Sequence, residues 1–78
     1  PNPFNPSTTI PISIEKKSNV DVAVYDINGS FMYSIYSGLM NPGKYELVWN
    51  AAQQSSGVYF IKANVGSEVY TIKTLLIK

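Results

Sequence analysis

The sequence predicts an all-β domain, an immunoglobulin-like antiparallel β-sandwich of about seven strands. Three observations carry this prediction. Apolar residues recur at every second position in several stretches; Gly, Asn and Pro turns divide these stretches about every ten residues; and no stretch shows the spacing of a helix. The chain has 78 residues. At that size, area scaling removes roughly 60% of the open chain's surface from water, enough for one domain with one thin core.

The opening Pro1-Asn2-Pro3-Phe4-Asn5-Pro6-Ser7 places proline at every second or third position, which forbids helix and removes ladder donors. Residues 1–7 therefore read as a proline-rich lead-in or linker, and residues 8–78 as the sandwich. From Thr8 to Lys16, Ile10, Ile12 and Ile14 alternate with Pro11, Ser13 and Glu15, and Pro11 points this strand to a sheet edge. Lys17-Ser18-Asn19 is a polar turn. Val20, Val22 and Val24 then alternate in a second strand.

Asn28-Gly29 is the strongest turn signal, because both residues tolerate the positive φ of a type I′ hairpin. With a two-residue loop, Val24 pairs with Tyr33 and Val22 with Ile35, and Met32 points outward; a bulge would change that assignment. Asn41-Pro42-Gly43 is a further turn, leading into Lys44 to Asn50 with Tyr45, Leu47 and Trp49 on one face. A small polar loop runs from Asn50 to Gly57. The last two strands, Val58 to Val65 and Val69 to Ile77, join at Gly66-Ser67. Ser55-Ser56-Gly57-Val58-Tyr59 resembles the tyrosine corner of immunoglobulin domains, so Tyr59 is expected to bond back to upstream backbone, with Ile61 facing inward two positions later.

Composition narrows the function. Charged residues are 14% of the chain, the net charge is +1, and His, Cys and Arg are absent. Without His and Cys, the commonest acid–base residue, the thiol nucleophile and most transition-metal ligands are missing, so no catalytic residue, metal site or cofactor is expected. Nucleic acid is not an expected partner, since there is neither a basic field nor an arginine fork. No apolar run approaches the roughly twenty residues of a membrane-spanning helix, and no membrane insertion is expected.

Several pieces in this order resemble one bacterial module: Pro1-Asn2-Pro3-Phe4-Asn5-Pro6-Ser7-Thr8-Thr9-Ile10, Val24-Tyr25-Asp26-Ile27-Asn28-Gly29, Trp49-Asn50, Ser56-Gly57-Val58-Tyr59-Phe60 and the terminal Lys73-Thr74-Leu75-Leu76-Ile77-Lys78. The chain resembles, from first residue to last, the type-A C-terminal sorting domain of the type IX secretion system. The resemblance implies a non-catalytic address at the C-terminus of a larger protein. Such a domain conducts its N-terminal cargo from the periplasm through the outer membrane to the cell surface or medium, and a surface sortase commonly removes it. The family's sorting information lies towards the C-terminal end, which maps onto Gly66, Lys73, Leu75, Leu76, Ile77 and Lys78. Asn28, Gly29, Trp49, Gly57 and Tyr59 fall on structural positions. Members often carry Arg after the hairpin glycine and an acidic residue after the Trp, where this chain has Ser30 and Asn50. A related domain occurs in flagellar hook-capping proteins.

Two readings compete with this one: a purely structural immunoglobulin-like domain such as the flagellar one, and a carbohydrate-binding or enzyme-accessory module of a secreted hydrolase. Trp49 and the tyrosines could form the sugar-stacking face of a carbohydrate-binding or enzyme-accessory module, although Tyr45, Trp49 and Tyr59 fall on faces expected to be buried. Asp26-Ile27-Asn28-Gly29-Ser30 has the start of a calcium loop but lacks its distant Glu, so Asp26 is expected to cap the turn. The strand from Lys73 to Lys78 poses a geometric problem, because three consecutive apolar residues cannot all face one core. Either this strand is covered on both faces or leaves Leu76 exposed, or it is a sheet edge whose spare apolar side chains serve strand addition by a receptor.

Overall fold

A computed structural model describes residues 7–77. Six strands follow in order: β1 (Ser7–Ile14), β2 (Ser18–Tyr25), β3 (Phe31–Met40), β4 (Gly43–Asn50), β5 (Gly57–Val65) and β6 (Glu68–Leu76). All pairings are antiparallel. The strands form a two-stranded sheet, β1-β4, and a four-stranded sheet in the order β3-β2-β5-β6. The described residues thus hold six strands where the sequence suggested about seven. The lead-in from Pro1 to Pro6 and the terminal Lys78 lie outside the described residues.

The core sits between the sheets, and period-two alternation builds it. Ile10, Ile12 and Ile14 of β1 meet Val20, Val22 and Val24 of β2 and Tyr59, Ile61 and Ala63 of β5, all buried. Trp49 is buried and stands edge-on to Tyr59, with ring centroids 5.4 Å apart at 69°. Tyr45 and Leu47 are half-buried and pack on the same cluster. Of the three aromatic positions expected to be buried, Trp49 and Tyr59 therefore lie in the core and Tyr45 packs against it. Pro11 lies in β1, which has β4 as its one neighbour among the described strands, so the edge position expected for it is observed.

The first hairpin differs from its expected form. Strand pairing ends at Tyr25 and Phe31, so the loop has five residues and not two. Asn28 does not take a positive φ; Gly29 alone does, at +82°. Gly29 N–H donates to the Asp26 carbonyl at 2.9 Å, closing a turn from Asp26 to Gly29. The Asp26 carboxylate accepts the N–H groups of Asn28 and Ser30, each at 2.9 Å. A type I turn followed by a left-handed glycine satisfies these donors, whereas type I′ would require Asn28 to be left-handed as well.

Two register shifts in the β2–β3 pair also move side chains. Val24 pairs with Tyr33 as expected, but Val22 pairs with Tyr36 and not Ile35. Each shift inserts one residue into β3 and turns it inward, so Met32 and Ile35 pack against the core. Met32 is thus half-buried where the unbulged hairpin placed it outward. The second tight turn follows its sequence. Gly66-Ser67 joins β5 to β6, and Gly66 takes φ +60° at the first central position while its N–H donates to the Asn19 carbonyl at 2.9 Å.

Tyr59 forms the expected corner. Its phenol donates to the Ser55 carbonyl at 2.6 Å, and Ile61 is fully buried two residues on. Tyr45 repeats the device, donating to the Asn41 carbonyl at 2.6 Å. Replacing Tyr59 with Phe keeps the ring against Trp49 and removes one hydrogen bond. The expected loss is about 1 kcal/mol, read from chemical denaturation, with unchanged far-UV circular dichroism.

Candidate recognition surface

β6 is an edge strand, with β5 on one side and no partner on the other among the described residues. Paired residues share a face, so the pairing sorts its side chains. Tyr70, Ile72, Thr74 and Leu76 oppose Ala63, Ile61, Tyr59 and Gly57 on the inner face. Val69, Lys73 and Leu75 oppose Asn64, Phe60 and Val58 on the outer face.

The terminal apolar triplet is divided by this alternation. Leu76 is 5% exposed and belongs to the core, while Leu75 and Ile77 on either side are 63% and 70% exposed. The strand is neither covered on both faces nor does it leave Leu76 in solvent. It is an edge that anchors one leucine and presents its two neighbours to water, with Lys73 also exposed. Gly66 stands apart from this group, in the turn at the opposite end of β6. Lys78 lies outside the described residues.

The outer face of the large sheet adds residues that the sequence reading did not assign to a surface. Phe60, Tyr25 and Phe31 form a row across β5, β2 and β3. Tyr25 and Phe31 meet edge to face with centroids 6.0 Å apart, and the Lys62 ammonium stands 5.9 Å from the centroid of the Tyr25 ring. Val58, next to Leu75, continues the apolar band towards the edge. The alternation around Tyr59 and Ile61 places Phe60 on this outer face. The row itself depends on the cross-strand register, which is not written in any one segment.

The Tyr70 phenol has a displaced titration. Its phenol donates to a Glu68 carboxylate oxygen, and this bond and the carboxylate's charge hold its pKa above the ordinary tyrosine value, with a smaller push from Glu15.

What the geometry defines is a small antiparallel sandwich with apolar side chains on the outer face of its larger sheet and an edge strand, β6, that has one partner among the described residues. A family model for secretion system C-terminal sorting domains matches residues 1–78, and the chain belongs to that family. No curated protein and no solved structure matches it. The domain is a C-terminal sorting signal for type IX secretion, marking its protein for export to the cell surface or the extracellular space. A passenger N-terminal to it and a secretion machinery that receives it follow from that role.

Proposed function

We propose that the machinery reads this domain as a folded shape, by adding a strand to the free edge of β6. In this reading backbone pairing supplies affinity, and pockets for the outward side chains supply selection. Leu75 and Ile77 are the side chains read, Lys73 and Lys78 supply flanking positive charge, Leu76 locks the strand to the core, and Gly66 holds the turn that aligns it. The observation that carries the proposal is the exposure of Leu75 and Ile77 around a buried Leu76 on an edge strand. A buried run would offer a receptor nothing, and an exposed edge left to chance invites aggregation.

The domain itself performs no catalysis; a sequence without His, Cys or Arg suits an address better than an enzyme. A surface sortase supplies the later chemistry, which the family resemblance supports. A photo-activated cross-linking residue at position 75, in a cargo exported by this system, tests the surface. Position 75 is expected to capture a component of the secretion machinery, while the same residue at Ser34, in β3 at the opposite edge of the sheet, captures none. Equal yields at both positions, or none at position 75 in a cargo that is exported normally, would overturn the assignment.

A further inference from the structure

Asn28 is the one asparagine of the chain that a glycine follows. Asn2, Asn5 and Asn41 precede proline, whose nitrogen carries no hydrogen, and Asn19 and Asn64 precede valine, whose branched side chain crowds the backbone. Asn50 precedes Ala51, which is buried. The Asn28–Gly29 junction lies instead in the five-residue loop between β2 and β3, where residues 27–30 are all exposed. Space around Gly29 is open: beyond its chain neighbours, no atom lies within 4 Å of the place a β-carbon would take. A side-chain carboxamide and an unhindered backbone nitrogen therefore adjoin in water.

We propose that Asn28 is a site of spontaneous deamidation, and that the cap formed by Asp26 slows the reaction in the folded domain. Water is the one co-reactant. The Gly29 nitrogen gives up its proton to solvent and attacks Cγ of Asn28; an N–C bond forms, the C–NH2 bond breaks, and the amine leaves as ammonia after taking a proton from solvent. The five-membered imide then adds water across either of its two C–N bonds, which yields aspartate or isoaspartate at position 28. No electron is transferred.

The folded turn opposes the first step. The Gly29 N–H, the group that must be freed, donates to the Asp26 carbonyl at 2.9 Å, and the Asp26 N–H donates to the Ser30 carbonyl at 3.0 Å. The Asp26 carboxylate accepts the N–H groups of Asn28 and Ser30, each at 2.9 Å. These bonds hold the junction in a closed turn, and a negative charge bonded to the residues on both sides of Gly29 disfavours the charge its nitrogen must take on. Reaction requires the turn to open, so its rate follows the population of the open form. The products fit the turn less well. Isoaspartate adds one carbon to the main chain inside it, and either product brings a second carboxylate to a loop built around that of Asp26, where like charges repel. The tip of the β2–β3 hairpin loosens as a result. β6 is separated from β2 by β5, so the edge proposed for the machinery is left as it was, and the inference makes no use of that proposal.

Peptide mass spectrometry on the full-length protein, incubated at neutral pH, tests this by timing the amide-to-acid mass gain at position 28. Native chain, chain unfolded in guanidinium chloride, and the variants Asp26→Ala and Asp26→Asn are compared. The unfolded chain is expected to react fastest. Asp26→Ala is expected to react about tenfold faster than native, because two hydrogen bonds to a charged acceptor are lost. Asp26→Asn keeps an acceptor oxygen without the charge and is expected to fall between them. Hydrogen exchange over Gly57–Val65 shows whether each variant keeps its sandwich, and a variant that keeps it carries the comparison. No mass gain at position 28 in the unfolded chain would overturn the site. Equal rates in native and unfolded chains, or folded Asp26 variants that react no faster than native, would overturn the protection assigned to Asp26.

Discussion

With Leu75 and Ile77 both changed to serine, the domain is expected to melt at the wild-type temperature while its passenger accumulates in the periplasm. The two halves of this result come from the same geometry. Both side chains are largely in solvent in the folded domain, so their removal costs no more than about 0.5 kcal/mol each. In a docked complex the same side chains would fill pockets, where truncating one strong anchor costs about 2 kcal/mol, or about 30-fold in affinity. Fractionation of cells carrying a tagged passenger, with thermal unfolding of the purified variants, reads both quantities. Leu76→Ala is the necessary contrast. Its side chain is 5% exposed, and shortening it is expected to lower stability by roughly 2–5 kcal/mol, so any export defect there would report folding. Normal export of the double serine variant would mean that the machinery reads another surface.

Trp49→Ala is expected to have the largest effect on the fold. The indole is 3% exposed and packs edge-on against Tyr59, whose phenol in turn ties β5 to the preceding loop. Emptying such a position costs roughly 3–5 kcal/mol. At about 0.05–0.15 kcal/mol per residue a domain of this size has only about 4–12 kcal/mol in total, so the variant is expected to lose most of its margin or unfold at growth temperature. Chemical denaturation measures the loss. If recognition requires the folded shape, passengers carrying Trp49→Ala are retained together with those carrying the folded but unreadable Leu75/Ile77 variant, and limited proteolysis distinguishes the two, since only the first is digested.

Much of this architecture was legible because it depends on local periodicity. The alternating Ile10, Ile12, Ile14 and Val20, Val22, Val24 declare their inward face, and Pro11 declares an edge. Tyr59 could be placed in its corner because the motif is short and contiguous. The division of Leu75, Leu76 and Ile77 between solvent and core follows from the period of a strand; which residue was buried required the register with β5, set by the tight turn at Gly66.

What was not legible depends on contacts between segments. The bulges that turn Met32 and Ile35 inward add single residues to β3, and an unbulged hairpin is the simplest reading of Asn28-Gly29. The Phe60–Tyr25–Phe31 row needs three strands in register before it exists. Ile72 and Tyr70 have the alternation of core residues yet are largely exposed, which periodicity does not encode. The segments named in the sequence are the six strands observed among the described residues, one fewer than the count expected for the fold class.

The most direct measurement fuses residues 1–78 to a passenger that reaches the periplasm by another route, in a host that has this secretion system. The account predicts that the fused passenger appears at the cell surface or in the medium, while the unfused one stays inside the outer membrane. A fused passenger held in the periplasm, with its sandwich folded, would contradict it.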